Sequence, residues 1–467
     1  MKPKNFVRVF HSVMRSYGYW LAIVLSFGTG YAQRPPTPAI NLNYLRIDFI
    51  QPGARPAGLG GAFIAAAQDE MAAPINPAGL TYLKSAGASL HQRHVRTEFD
   101  EPQGNVRFPD RKADFETISF DQTMAGIFVP LKRVTFAAFR NVAFDSRFNF
   151  ETTQFLTTPE PLTTRQIVGG LGNFPGRRVD LDLEMVNDGI SAALKINRRL
   201  SVGVTGKISV LNFRLNEQAF LDPQIGVTGT SRGNLPETTY SITTIDERDV
   251  QTSFSFGFIS NVIMDKLFLG GVVNLNPTFN METNIFLPAY EIDGLTLPAT
   301  TSEDRGFRMG VPDTYGFGLY YLAHNRMRFS FDLQQIEYTD LLVGNDLNIA
   351  SDDEIDETGV FVDPDGRPDL TIDDATQVHF GIEYLLKVPE LGLIPFRFGI
   401  HTEPGHRIYA TGNDPDKRRL FPKQKNKTHF SFGLGVVFSS HIKFDGSADI
   451  SDRGLELFGS TLVSIPF

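Results

Sequence analysis

Three carboxylates, Asp180, Asp182 and Glu184, are spaced by two residues, so an extended chain sets them on one face, opposite Val179, Leu181, Leu183 and Met185. Such a row offers oxygen ligands to a cation. Like charges at that spacing call for a counter-ion or for arginines such as Arg177 and Arg178. A solvated strand extension is the preferred reading. The stretch Asp352–Asp374 is densely acidic, and Asp363-Pro364-Asp365-Gly366 has the outline of a calcium loop. The spacing and terminal glutamate of an EF-hand are missing, which favours a plain acidic surface loop. His91 and His94 stand three apart on an extended segment, so they face opposite ways and cannot share a metal. Gly58-Leu59-Gly60 lacks the third glycine and the βαβ unit of a nucleotide loop. No Gly-x-Ser-x-Gly elbow stands in a usable context, and cysteine is absent, which removes thiol chemistry and any disulfide framework. No catalytic residue, cofactor or metal site is expected, and the chain does not read as an enzyme.

These residues lie in segments that alternate apolar and polar side chains. After Asn197–Arg199, Leu200, Val202, Val204, Ile208 and Val210 share one face and Ser201, Thr205, Lys207 and Ser209 the other. Phe254, Phe256 and Phe258 alternate with small residues, and the same period runs through Met327–Gln334, Gln377–Tyr384 and His429–Phe438. The connections are in turn short and long. Short ones fall at Pro130–Arg133, Asn197–Arg199, Met264–Lys266, Ala323–Arg326, Lys387–Leu393 and Ser439–His441; long polar ones fall at 98–115, 150–178, 214–250, 286–306, 341–373 and 403–427. Tight turns on one side and long loops on the other are the pattern of an outer-membrane β-barrel. The second face carries Lys207, Arg328, Asp332, Glu383, Arg397, His401, Lys443 and Asp445, which suit a wet lumen better than the dry core of a soluble sandwich.

The expected fold is all-β, a 14-stranded antiparallel transmembrane barrel. Its spans are 86–98, 116–130, 133–150, 178–196, 199–214, 250–263, 266–285, 307–323, 326–341, 374–387, 393–403, 427–439, 441–450 and 455–467. The alternation changes phase between Met185 and Ile190, which predicts a β-bulge around Gly189. An even strand number puts both ends on the periplasmic side.

Residues 1–32 read as a cleaved signal peptide: Lys2, Lys4, Arg8 and Arg15 precede an apolar run from Tyr17 to Tyr31, with small residues around Ala32. The mature chain then begins at Gln33 and is more acidic than the net −9 of the whole chain, which argues against nucleic acid as a partner. The one tryptophan, Trp20, lies in that signal, so any interfacial girdle falls to the abundant phenylalanines and the tyrosines. The last strand is apolar at every second position and ends in Phe467, the form in which barrel-assembly machinery recognises outer-membrane strands.

Residues 33–85 do not alternate. They are too few for an independent domain and stand directly before the barrel 86–467, so they are expected to fold inside it as a hatch. Asn76-Pro77 supplies a favoured cap and first helical residue and should open a short helix. The run GARPAGLGGAFIAAAQDEMAAPINPAGLTYL resembles the hatch signature of the FadL family of outer-membrane transporters for long-chain fatty acids and hydrocarbons. GISAALKINRRLSVGVTGKIS, VPDTYGFGLYYLAHNRMRFSFDLQ and VHFGIEYLLKVPELGLIPFRFGI resemble its paired-strand blocks more loosely. Ile75 departs from the pattern, where an aromatic residue usually precedes Asn-Pro-Ala, and so does the acidic loop. The resemblance implies that Asn76, Pro77 and Ala78 form the hatch motif against an irregular wall strand, with Gly58, Gly60 and Gly61 as its tight backbone. It also implies passive uptake of a hydrophobic small molecule, captured between outer loops and released sideways into the bilayer.

Leu211, Phe213, Phe268 and Val272 are the expected ligand contacts. Outer-membrane lipid, including lipopolysaccharide, is the expected surrounding partner. NYLRIDFIQPGARPAGLGG is also compatible with PorV-like barrels that bind exported proteins in a secretion system, which is the alternative. A general porin is the third reading, and the hatch argues against it.

Overall fold

The computed structural model describes residues 45–465 except 103–111, 154, 157–172, 175, 222–237, 293–294, 298, 345–353, 356–360, 363–367, 390–391, 414–417, 419–420 and 439–440. The signal segment, Asp363-Pro364-Asp365-Gly366 and Phe467 therefore lie outside the described residues.

The strands are β1 Ala86–Pro102, β2 Lys112–Pro130, β3 Val134–Thr152, β4 Gly176–Lys195, β5 Leu200–Leu221, β6 Thr238–Ile263, β7 Leu267–Leu275 and β8 Thr278–Leu287. They continue as β9 Thr300–Gly310, β10 Thr314–His324, β11 Met327–Ile336, β12 Ala375–Val388, β13 Gly392–Glu403, β14 Lys427–Val437, β15 Ile442–Ile450 and β16 Gly454–Ile465. All but β8 and β9 form one closed antiparallel ring of 14 strands, β7 pairing with β10 and β16 returning to β1 from Ala86↔Ile465 to Thr97↔Gly454. Closure removes the sheet edges that an open β-protein must protect. Ile190, Val204, Phe256, Phe317, Phe398, Phe432 and Phe444 point outward and stay exposed, an apolar belt that only lipid can cover. The short turns are built from local chemistry. The Asn197 side chain accepts from Arg199 and Leu200 N–H at 2.7 and 3.0 Å, and Asp265 takes φ 57° in the next turn, its N–H held by the Asn261 side chain at 3.1 Å.

Two expectations about the strands are corrected. The single strands foreseen at 266–285 and 307–323 are each broken, at Asn276-Pro277 and at Val311-Pro312-Asp313. Proline has no N–H for the ladder. The two breaks lie side by side and brace each other, Asn276 N–H donating to Asp313 at 2.6 Å and its side-chain amide to Pro312 O at 2.7 Å. Beyond them β8 and β9 form an outer hairpin that rejoins β6 only from Asn284↔Thr244 to Phe286↔Ile242.

The bulge is not at Gly189. Strand β4 keeps strict alternation, with Val179, Leu181, Leu183, Met185, Asn187, Ser191 and Ala193 all inward. What changes is the chemistry of each face: the outward side turns from carboxylates to lipid-facing Ile190 where the strand enters the belt, and the inward side turns polar beside the hatch. The irregularity sits on β3, between Val142 and Phe144, opposite Val186 and Met185. A second lies on β2, between Asp121 and Met124, opposite Arg93 and His91 of β1. These two bulges flank a split in the wall. The β2–β3 ladder runs from Pro130↔Thr135 to Met124↔Asn141 and stops; above it β2 stays with β1 and β3 stays with β4. A bulge bends its strand and increases local twist, and these two stand where β2 and β3 part.

Candidate functional site

Residues 53–83, the segment expected to be a hatch, touch inward side chains on strands around the ring. A short helix, α1 Ala54–Gly58, leads into Gly60 and Gly61 at φ 61° and 76°, a left-handed pair that only glycine takes without strain. A side chain is excluded there on spatial grounds too: a Cβ on Gly60 would stand 2.7 Å from Ile400 N of β13. This reversal aims the N–H groups of Phe63 and Ile64 at Asp332 of β11, which accepts both at 2.5 and 2.7 Å. Gly58 meets Gly433 of β14 in the same backbone-to-backbone manner.

The helix α2 Ala72–Ile75 and a 3₁₀ turn Pro77–Tyr82 complete the hatch. Asn76 caps that turn as its sequence foretells, accepting from Ala78 N–H at 3.3 Å. Its amide donates to Ile64 O at 2.9 Å and to Phe258 O of β6 at 3.2 Å, so one fully buried side chain joins two hatch segments to the wall. Pro77 and Ala78 press on Gly203 of β5. The remaining lock is ionic. Glu383 of β12 receives Arg55 of the hatch at 3.3 Å, Arg328 at 2.7 Å and Arg397 at 2.8 Å, and Arg55 reaches Asp69 at 2.6 Å. Burial, helped by the adjoining Asp69, pushes the Glu70 carboxyl of the hatch up to about 7.

The extended arm 45–52 rises from the hatch into the outer lumen. Leu45 and Ile47 are buried in a large apolar cluster with Phe144, Leu181, Leu183, Met185, Leu211, Phe213, Phe279 and Phe307. Tyr338 donates to Ile47 O at 3.1 Å and stacks on His406, whose Nε2 is 2.8 Å from Asp48. Burial pulls the His406 imidazole down, but Asp48 and Glu403 outweigh it and hold it above its ordinary value. Lower on the arm, Ile50 N–H donates to Ala143 O at 2.9 Å and Pro52 O accepts from Thr123 at 2.9 Å. The arm therefore backs the split from inside, touching β3 at its bulge and β2 just above the last ladder pair. Across the split, Arg147 pairs with Asp121 at 3.3 Å while Asp145 and Asp182 lie 3.2 and 3.4 Å from it. Phe99, Phe115, Phe148 and Phe150 interlock behind, with centroid distances of 5.0–5.7 Å.

Between hatch and split lies a cavity of about 150 Å³ lined by Ile50, Ile64, Ile75, Asn141, Asn187, Lys207, Val272 and Asn274. Lys207 is 8% exposed and, among the described residues, has no hydrogen bond and no ion-pair partner. Of the expected ligand contacts, Leu211 and Phe213 are fully buried in the outer apolar cluster and Val272 lines the cavity. Phe268 stands apart. It packs near the periplasmic turn against Tyr82 and Tyr320, at 5.9 and 6.0 Å. Sequence reasoning missed Leu181, Leu183 and Met185 as cluster members, although their alternation with the carboxylates was the available signal. Those carboxylates face outward; Arg147 stands beside Asp182, while Arg178 pairs with Glu151 and Arg177 with Glu217. His91 and His94 do face opposite ways, His91 buried and His94 exposed.

A closed ring with an apolar exterior, a polar lumen and a locked plug defines a transmembrane β-barrel of the outer-membrane type. In fold the chain is similar to three solved structures: CymD, a monoaromatic hydrocarbon channel (16% identity, TM-score 0.54, covering 90% of this chain and 100% of that one), a Pseudomonas aeruginosa FadL homologue (14%, 0.56, 90% and 99%) and the Pseudomonas putida toluene transporter TodX (14%, 0.53, 90% and 98%). No protein-family model and no curated relative matches the sequence.

Proposed function

We propose that the protein carries hydrophobic small molecules across the outer membrane by passive uptake, with release through the β2–β3 split into the bilayer. The observation that carries this reading is the end of the ladder at Met124↔Asn141, with the arm 45–52 closing the gap from within. The rim of the split bears exposed Ile118 and Phe120, whereas the other unladdered stretch, beside β6, carries Asp246 and Arg248 outward. An apolar solute leaving by the first route stays out of water, which saves about 0.8 kcal/mol per methylene. The similar structures include channels described for monoaromatic hydrocarbons and toluene, which supports ligands of that kind, with long-chain fatty acids the other class.

Leu45 and Ile47 occupy the apolar cluster, so capture requires a ligand to displace them. Residues 58, 60, 61 and 76–78 act as the fixed part of the plug. The outward belt contacts membrane lipid, including lipopolysaccharide, and the final strand engages the barrel-assembly machinery. The test is uptake and binding of a radiolabelled alkylbenzene and a long-chain fatty acid by cells and by detergent-purified barrel. Saturable binding, with uptake lost on deletion, is expected. No binding of either and unchanged uptake would refute the reading, and co-purification with exported proteins instead of lipid would replace it by the secretion role.

A further inference from the structure

Three histidines stand side by side on the inner wall, one per strand. His379 of β12 pairs in register with His401 of β13, and His401 with His429 of β14. Their rings stack at 5.3 and 4.4 Å. Asp449 of β15 sits one step along and closes the row, its carboxylate 2.6 Å from His429 Nδ1 and 3.7 Å from His401 Nδ1. His401 Nδ1 is buried and, among the described residues, makes no hydrogen bond. A buried nitrogen left without a partner is costly, so this atom asks for a ligand.

We propose that His401, His429 and Asp449 bind one divalent transition-metal ion of the zinc class on the inner wall beside the hatch. The donor atoms, two imidazole nitrogens and a carboxylate oxygen, all lie within 4.8 Å of one another. That set suits zinc and its first-row neighbours and leaves a coordination position open. The supporting contacts are those a metal site needs. His429 turns its other nitrogen, Nε2, to Glu403 at 2.9 Å, which frees Nδ1 for the ion, and Lys427 holds Glu403 in turn at 2.8 Å. Ser431 donates to the second Asp449 oxygen. His379 donates from Nδ1 to Gly60 O at 2.7 Å and closes the far side of the stack. The site opens on a cavity of about 120 Å³ between this wall and the arm, which admits the ion and a water on its open position. Binding replaces the proton shared by His429 and Asp449, so it releases a proton. An ion there ties β13, β14 and β15 together next to the hatch contact of His379. The site stands independently of the transport reading.

The test uses the full-length barrel in detergent, stripped with chelator and titrated with Zn²⁺. One equivalent is expected per chain by calorimetry and elemental analysis. His401→Ala and Asp449→Asn should each weaken it at least tenfold, and outward-facing His94→Ala should not. Absence of binding, or equal binding by the two variants, overturns the proposal. Should either variant fail to give the heat-modifiable band of a folded barrel, X-ray absorption of the zinc-loaded wild type decides: two imidazoles in the shell support the site, and an all-oxygen shell or a single imidazole overturns it.

Discussion

Asp332→Ala separates the hatch lock from the barrel itself. The carboxylate is 1% exposed and its Oδ2 accepts the N–H groups of both Phe63 and Ile64. Those donors lie in the segment that follows the Gly60-Gly61 reversal, and removing the acceptor leaves both buried without a partner. Each unpaired buried N–H costs about 1–3 kcal/mol, so docking of this segment weakens by about 2–6 kcal/mol. At tenfold per 1.4 kcal/mol, the undocked population rises by about 30-fold at the low end and about 10⁴-fold at the high end. Asp332→Asn keeps an acceptor oxygen and should show a smaller shift. The barrel ladder involves backbone groups only at this position and should persist, which the heat-modifiable band on a gel checks. Hydrogen exchange at the Phe63 and Ile64 amides reads the docking directly, and planar-bilayer recording reads the loss of the plug as ion conductance. Protection at those two amides equal to wild type, in a silent channel, would show that Asp332 does not hold the hatch.

Three further outcomes are expected. Arg147→Ala removes the cation that bridges Asp121 to Asp145 and Asp182 across the split and leaves Arg93, 3.6 Å from Asp121, on the β1 side. The carboxylates' repulsion should spread the β2–β3 split and speed release of a preloaded ligand several-fold; an unchanged release rate refutes a closing role. Lys207→Met should weaken binding of a long-chain carboxylate about 10- to 100-fold, the worth of one charge-assisted bond of about 1.5–3 kcal/mol, and leave the matching alkane unaffected; equal affinities in both proteins would remove Lys207 from ligand recognition. The His406–Asp48 contact should clasp the arm fully below about pH 6.5 and loosen as pH rises through the raised His406 value. Amide exchange in residues 45–50, corrected for intrinsic rate, should therefore quicken at alkaline pH, and His406→Gln should abolish that dependence.

Much of this architecture is legible residue by residue, because in a barrel the period of two separates lipid from lumen. Lys207, Asp332, Glu383 and Arg397 declare the inner face by their charge, and Asn76-Pro77 declares its own turn by capping chemistry. What pairing adds is less visible. Nothing in the alternation of β2 or β3 says that the two part company at Met124, since each keeps its other neighbour. The apparent phase slip at Gly189 arises because one strand crosses the membrane boundary, where both faces exchange character at once. Pro277 and Pro312 carried the signal for the broken strands, but only their adjacency shows that the breaks support each other. The histidine row is likewise invisible along the chain, because it exists only in the register of three separate strands. Phe268 shares the inward face with Val272, and depth along the strand, which alternation does not encode, sets them apart.

Under the proposed uptake function, the arm 45–52 makes capture and release one event. It places Leu45 and Ile47 in the apolar cluster, Asp48 against the outer loop, Ile50 on the bulge of β3 and Pro52 on β2. An extended chain rises about 3.3 Å per residue, so five residues from Leu45 to Ile50 span about 16 Å. A ligand that enters the cluster evicts the two apolar side chains at one end of this lever, and two hydrogen bonds, Ile50 N–H to Ala143 O and Thr123 to Pro52 O, hold the split at the other. Each contributes only about 1 kcal/mol. Burying one Leu or Ile side chain is worth about 1.5–3 kcal/mol, so exchanging both for a ligand involves more free energy than the two bonds at the split can resist. The split then opens where its rim is apolar, while the lower hatch, held by Asp332, Glu383 and Asn76, keeps the periplasmic side closed. Unequal anchoring of the two parts of the plug is what directs a greasy ligand sideways rather than straight through.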